Sequence, residues 1–390
     1  MDDFESNLKA KFPDLKYTLA TDGGYVYHPV NDAEYEFNLP ANESELFDEI
    51  TLFLESVYVE GQALYRDGYY ECLINATSNQ HQYLIDATPV FAAPAGTDKR
   101  KVYFDMGEIS PAFNSFLTSS LSNDIYSDEY YHSFKIYNIR MDTQEPDQAK
   151  RQNNYLQDCN YFSQCAFFDM HRKAGLALNK LDLSEHEDLT DYLDDTDFSN
   201  IKDSELAAER YDRDLLMYYN RASEMHNTEF KYIAYFQVLE CIFDEVYLYE
   251  TIQDARSVID SSWFRVNEFD HVNQLIKIID KYNKEQNDRS KTRLVLDKYF
   301  RLNQHDEAFL LANKEVIELL IKIKLIKVEA DFKDLQKLAG IIYDIRNEYT
   351  HSNRTFPKKR DNVVEHDELN AHIEIIRRIA EAVILNYNRN

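Results

Sequence analysis

The pattern of apolar and polar positions changes period part-way along the chain. Up to about residue 145 the two kinds of residue alternate over short runs, the period of a half-buried strand. Tyr17 to His28 reads as a hairpin, with Gly23-Gly24 placed to supply positive φ between two tyrosine-bearing arms. Glu34 to Leu39, Tyr83 to Phe91 and Ser133 to Arg140 read as further strands, while Leu46 to Val57 has helical spacing. From Gln148 the period lengthens to that of a helix, and Tyr155, Phe162, Ala166, Asp169 and Met170 form a mostly apolar stripe within 150–180. After residue 200 one amphipathic helix follows another. Phe230 to Tyr249 carries Ile233, Phe236, Val238, Leu239, Ile242 and Val246, and Val272 to Tyr282 carries Val272, Leu275, Ile276 and Ile279. Three more stripes start at Val316, Leu335 and Leu369, the last running to Tyr387. Stripes of this width bury against one another in a bundle. The predicted fold class is α+β: a strand-containing N-terminal domain over 1–200, then an all-α helical bundle over 201–390.

Length supports the division, because 390 residues are more than one compact core usually holds. Charge sharpens it. The chain carries 43 basic and 70 acidic residues, a net charge of -27, and so repels polyanions at long range. Wrapping duplex nucleic acid through many phosphate contacts is excluded on that ground. The acid is uneven, however: residues 1–200 hold 14 bases against 36 acids, and residues 251–390 hold 24 against 23. The C-terminal third is where a nucleic acid can still be handled. Residues 182–200, with eight acids and no base, read as an acidic linker, and they lack the glycine and terminal glutamate of an EF-hand loop. Four cysteines make no disulfide framework. Cys159, Cys165 and His171, six apart each, and His366 and His372, also six apart, have poor metal-ligand spacing, so neither a metal nor another cofactor is expected. The segment Met1 to Glu5 lacks a signal-peptide flank, and the longest apolar candidate, Val316 to Val328, is broken by three lysines. The expectation is a cytoplasmic protein with no membrane partner.

One constellation carries chemistry. Between the last two apolar stripes lies Asp344-Ile345-Arg346-Asn347-Glu348-Tyr349-Thr350-His351. Histidine can take or give a proton near neutrality, as RNA cleavage through the 2′-hydroxyl requires. Arginine is permanently charged and forked, which suits phosphate oxygens as they gain charge. An arginine separated from a following histidine by four to six residues also occurs at Arg221, Arg265 and Arg360, but only Arg346 is followed by asparagine with a histidine five residues on. Positions five apart turn by about 140° on a straight helix. Either the helix stops near Thr350 or the site is assembled from more than one chain, as in a symmetric dimer. Arg354, Lys358, Lys359 and Arg360 form a compact basic cluster just beyond, read as either a phosphate-gripping rim or an exposed loop.

Arg346, Asn347 and His351 resemble the signature of HEPN domains, helical bundles found in many prokaryotic toxins and antiviral defence proteins. The upstream segment Ala234 to Glu240 (AYFQVLE) is similar to the first bundle helix of the ApeA-like branch. The resemblance covers about 205–390. It implies an HEPN-like bundle, homodimerisation through the motif face, and metal-independent endoribonuclease activity on an RNA such as tRNA or mRNA, leaving a cyclic phosphate. His351 is then the general acid/base, Arg346 the stabiliser of phosphate charge and Asn347 their positioner. Tyrosine-nucleotidylated relatives carry a tyrosine two positions past the histidine, where this chain has Asn353.

The leading expectation is an antiviral or abortive-infection effector whose residues 1–200 sense or restrain, through an activating ligand or phage component, and whose residues 201–390 cut. Non-catalytic HEPN modules also exist, so a dimerisation or RNA- or partner-binding platform is the second expectation. A third makes the tyrosine- and acid-rich N-terminal domain the functional half. Glu240, in an apolar helix, reads either as a carboxylate that orients Arg346 or His351 across the bundle or, the preferred expectation, as one at the solvent edge.

Overall fold

Alternation on four neighbouring strands decides how the first half of the chain packs. In the computed structural model the described residues are 10, 17–19, 25–27, 35–37, 48, 50–52, 54–59, 61–76, 91–94, 101–120, 132–183, 211–225, 227–284, 287–300, 314–324, 337–350 and 366–387. Residues 1–210 and 211–390 form two compact units. The acidic segment 184–200, and all but Phe91 of the strand expected over Tyr83 to Phe91, lie outside the described residues.

In the first unit β1 (Tyr17–Leu19), β2 (Tyr25–Tyr27) and β3 (Tyr35–Phe37) make a small antiparallel sheet, with Tyr17 opposite Tyr27 and Tyr25 opposite Phe37. A larger antiparallel sheet runs in the order β4 (Val57–Val59), β5 (Ala63–Arg66), β6 (Tyr69–Ala76), β9 (His132–Tyr137), β8 (Lys101–Glu108) and β7 (Phe91–Pro94), and β10 (Leu178–Lys180) also pairs with β6. On one face Tyr70, Cys72 and Ile74 line up with Phe104, Met106, Phe134 and Ile136. Helix α2 (Gln148–Ala174) covers that face with Tyr155, Cys159, Phe167 and Met170. Burial of this kind stabilises by about 25 cal/mol per Å² of apolar surface. Asp147 caps the start of α2 through the Lys150 N–H, and Gly175, at φ 72°, closes it in the left-handed conformation that other residues adopt at a cost.

The turn between β5 and β6 is Asp67-Gly68, a two-residue hairpin turn whose Gly68 has φ 86°. A Cβ there would also come within 3.2 Å of the Arg140 guanidinium. Tyr155 OH donates to the carbonyls of Arg66 and Tyr69 at 2.8 and 3.0 Å, tying the covering helix to both sides of this turn.

The opposite face holds a fully buried carboxyl. Glu71 accepts from Tyr69 OH (2.7 Å), Ser133 Oγ (2.7 Å), and both the N–H (2.8 Å) and Oγ (2.6 Å) of Ser110. Burial, with Glu71 alongside, holds the Tyr69 phenol well above its ordinary value, so it remains a donor. Ser110 Oγ in turn accepts the Phe113 N–H, which starts helix α1 (Pro111–Ser120). One acidic side chain therefore joins β6, β9 and the entry to α1.

The second unit consists of helices: α3 (Arg213–Glu224), α4 (Thr228–Glu240), α5 (Phe243–Ile259), α6 (Phe269–Lys284), α7 (Asp288–Tyr299), α8 (Lys314–Lys322), α9 (Leu338–Thr350) and α10 (His366–Tyr387). Helix α4 is the centre. Tyr232, Ala234, Tyr235, Phe236, Val238 and Leu239 are all buried, so it is apolar almost all round and packs on α3, α7, α9 and α10. The expected single helix from Phe230 to Tyr249 is instead two. At Ile242 the N–H bonds back three residues to Leu239 rather than four. That tightening turns the chain while Leu239, Ile242, Phe243 and Val246 all stay buried. A strand-built N-terminal region and a helical C-terminal region agree with the α+β class.

Replacing Glu71 by alanine leaves three buried hydroxyls and one N–H without their acceptor. The expected loss is about 2–4 kcal/mol of unfolding free energy, read from urea denaturation followed by far-UV circular dichroism. A change within a few tenths of a kcal/mol would mean the cluster is not a structural tie.

Candidate functional site

Arg346 and Asn347 sit on α9 where it packs against α4 and α7. Leu338, Ala339, Ile342 and Ile345 are the buried face that seats α9, and Tyr232 of α4 fixes its height by donating its hydroxyl to the Ile342 carbonyl at 3.0 Å. The Tyr232 ring also meets Tyr349 edge-on at 5.3 Å. With that helix anchored, Arg346 next in sequence to Ile345 emerges beside the C-terminal turn of α4.

There the guanidinium is held on three sides. Its Nη2 donates to Glu240 Oε1 at 2.7 Å, its Nη1 donates to Asn347 Oδ1 at 3.1 Å, and it lies 5.8 Å from the centre of the Phe236 ring. The side chains of Arg346 and Glu240 are only 20% and 28% exposed, so solvent screens this pair less than an ordinary surface pair. Burial pushes the Glu240 carboxyl above its ordinary value; Arg346 pulls the other way, and Asp288 adds to the rise. Thr350 Oγ1 donates back to the Arg346 carbonyl at 2.8 Å. On the far side of α9, Asp344 pairs with Arg289 of α7.

His351 follows Thr350 directly and lies outside the described residues, as do Asn353, Arg354, Lys358, Lys359 and Arg360. Of the expected site the structure therefore describes Arg346 and Asn347, and it brings these two into contact. Of the two expectations for Glu240 it shows the one that was not preferred, a carboxylate reaching Arg346 across the bundle rather than one at the solvent edge. The signal for Glu240 was its position at the polar end of an otherwise apolar run, but helical spacing alone does not say which helix lies opposite. Tyr349 and the buried His372 of α10 approach to 3.5 Å on the same side.

Other chemistry-bearing residues fall into structural roles. Cys72 and Cys159 are buried, and burial raises both thiols, which suppresses the reactive thiolate. Cys165 is buried and Cys241 exposed. Lys180 donates to Tyr70 OH at 2.8 Å and to Asn160 Oδ1, closing the end of the α2 face. Among the described residues no group of three or more His, Cys, Asp or Glu is arranged to hold a metal ion, and no helix is long and apolar enough to cross a membrane. No protein-family model, curated protein or solved structure matches the chain.

A carboxyl whose folded-state pKa lies above its ordinary 4.5 binds its proton more tightly folded than unfolded. Glu240 thus favours folding below that ordinary value, and the contribution is lost as pH rises through the raised one. Arg346→Ala removes the group that restrains the rise. The expected outcome is a Glu240 midpoint at higher pH in the variant than in the wild type, read from side-chain carboxyl carbon-13 shifts. An unchanged midpoint would show that the two groups are not coupled.

Proposed function

We propose that the second unit is a metal-independent endoribonuclease of the HEPN type, acting as a homodimer in antiviral defence or abortive infection. The observation that carries the reading is the arginine fixed between Glu240 and Asn347, five residues ahead of a histidine. A guanidinium held in advance loses little freedom when phosphate charge develops against it.

In the proposed reaction a base removes the proton of an RNA 2′-hydroxyl, and that oxygen attacks the adjacent phosphorus. The bond to the 5′-oxygen breaks, and an acid returns a proton to it. The products are a 2′,3′-cyclic phosphate and a free 5′-hydroxyl, and no water is consumed. Each proton transfer needs its own group in the right protonation state. Two copies of His351, one per protomer, supply a base and an acid at a site shared across a two-fold axis. Arg346 stabilises the charge on the phosphate oxygens, Asn347 orients the guanidinium, and Glu240 is its positioning residue. Arg354, Lys358, Lys359 and Arg360 are assigned to the RNA backbone, with the first unit, which holds 16 bases against 39 acids over 1–210, as sensor or restraint.

A second reading has its own support. One of the two described hydrogen bonds of the Arg346 guanidinium crosses to Glu240, which also suits a structural tie between α9 and α4 in a non-catalytic dimerisation or RNA-binding module. The two readings separate in one assay. Purified protein is incubated with mixed cellular RNA and tRNA in EDTA beside Arg346→Ala and His351→Ala. The expected result is cleavage that survives chelation and falls at least about 100-fold in both variants, with fold and oligomeric state retained. Equal cutting by all three proteins overturns the assignment, and silence from all three, with candidate activators added, favours the module.

A further inference from the structure

Helix α10 carries Glu374, Arg377, Arg378 and Glu381 on one stretch, and these four charges satisfy one another. Arg377 Nε donates to Glu374 Oε2 at 2.8 Å, its Nη1 donates to Glu381 Oε1 at 2.5 Å, and its Nη2 donates to Glu374 Oε1. Arg378 Nε adds a bond to Glu374 at 2.9 Å, and Tyr219 of α3 adds one to Glu381 at 2.8 Å. Each carboxylate thus already has two or more donors. Tyr235 of α4 shows the consequence. Arg377, Glu381 and Glu374 all act on its buried hydroxyl, yet it finds no hydrogen-bond partner among the described residues.

Lys231 lies one turn before Tyr235 on α4, which packs against α10. It is half-buried, and its amine makes no hydrogen bond or ion pair among the described residues. The charged group that acts on it is Arg377, of the same sign; Glu229 on its own helix and Arg221 and Glu224 of α3 add nothing. Burial first, and Arg377 second, push the ammonium below its ordinary value. Packing alone would favour an apolar side chain here, because a half-buried cation without a counter-ion costs folding free energy. A lysine in that condition is more often the neutral amine, and the neutral amine is the nucleophile.

We propose that Lys231 is a modification site that takes an acyl group from an acyl phosphate. The neutral Nζ attacks the carbonyl carbon, and the bond from that carbon to the phosphate oxygen breaks. Inorganic phosphate leaves, and the proton lost from the nitrogen goes to water. The product is an uncharged amide, which ends the repulsion from Arg377. A donor bearing phosphate suits the local balance, since Lys231, Arg377 and Arg378 against Glu374 and Glu381 leave one positive charge. Partial exposure of Lys231 leaves the amine open to a small reagent. The site is independent of the ribonuclease reading.

The test incubates the full chain with acetyl phosphate from neutral to alkaline pH and follows acetylation at each lysine by peptide mass spectrometry. Lys150 and Lys314, exposed and paired with Glu145 and Glu318, serve as references. Near neutral pH Lys231 is expected to acetylate at least about fivefold faster than either, and its rate to level off at a lower pH than theirs. Thr228→Glu sets an acid three residues before Lys231, at a helix start that favours it. That variant is expected to slow Lys231 about threefold and leave both references unchanged. A Lys231 no faster than the references, a rate that levels off where theirs do, or a rate untouched by Thr228→Glu each overturns the proposal. The comparison of lysines within the wild type needs no variant, so it remains decisive if Thr228→Glu does not fold.

Discussion

A helix that is apolar around most of its circumference has to be enclosed, and in the second unit that helix is α4. Burying Tyr232, Tyr235, Phe236, Val238 and Leu239 together requires neighbours on several sides, which α3, α7, α9 and α10 supply. The rest follows from that enclosure. Tyr232 can reach a backbone carbonyl of α9 only because α9 lies against it, and that bond sets the height at which Arg346 leaves its helix. Glu240 is the polar end of the enclosed segment, so it is the carboxylate left within reach. Polar contacts inside the same bundle obey the same demand. Tyr219 of α3 donates to Glu381 of α10 at 2.8 Å, and Glu381 also receives Arg377. A buried carboxylate is tolerable when donors surround it.

The first unit solves a similar problem with Glu71. A carboxyl at the centre of a sheet face would be costly alone, but four donors from three places in the chain converge on it. The same group that removes a penalty also specifies topology, because only the observed neighbours of β6 bring Ser110 and Ser133 to it. Polar groups of this kind discriminate between packings that hydrophobic burial alone would leave nearly equal in energy.

Local features were the legible ones. The hairpin over Tyr17 to His28, the strand starting near Ser133 and the helical stripes of the second unit are short-range patterns, and the structure has a hairpin, a strand and helices there. The Asp67-Gly68 turn was equally available, since Asp-Gly flanked by Leu64-Tyr65 and Tyr69-Tyr70 is a hairpin signal of the same kind as Gly23-Gly24. The break at Ile242 was not legible, since Leu239, Ile242 and Val246 continue a helical stripe across it. Long-range partners were hidden for a physical reason. Ser110 lies 39 residues from Glu71, Ser133 lies 62 away, and Glu240 lies 106 from Arg346, and no spacing rule connects positions that far apart. At the candidate site the residue types were readable from the sequence and Glu240 could be named as an alternative partner, whereas choosing that alternative over the solvent edge required the packing of α9 on α4.

That carboxylate constrains how the proposed chemistry works. An arginine paired with a glutamate attracts a phosphate less than an unpaired one, because the two charges largely cancel at a distance of several Å. It therefore contributes little to drawing RNA towards a protein of net charge -27. At hydrogen-bond range the balance reverses. The guanidinium has five N–H donors in a rigid fork, two of which hold Glu240 and Asn347, so its orientation is fixed before a phosphate arrives. Under the ribonuclease reading, capture and catalysis are consequently separate tasks. Long-range attraction falls to the cluster Arg354, Lys358, Lys359 and Arg360, where no acid intervenes between Arg354 and Arg360 in the sequence. Arg346 acts only once the phosphate is in contact, where its charge is matched to the transition state rather than to the bound RNA.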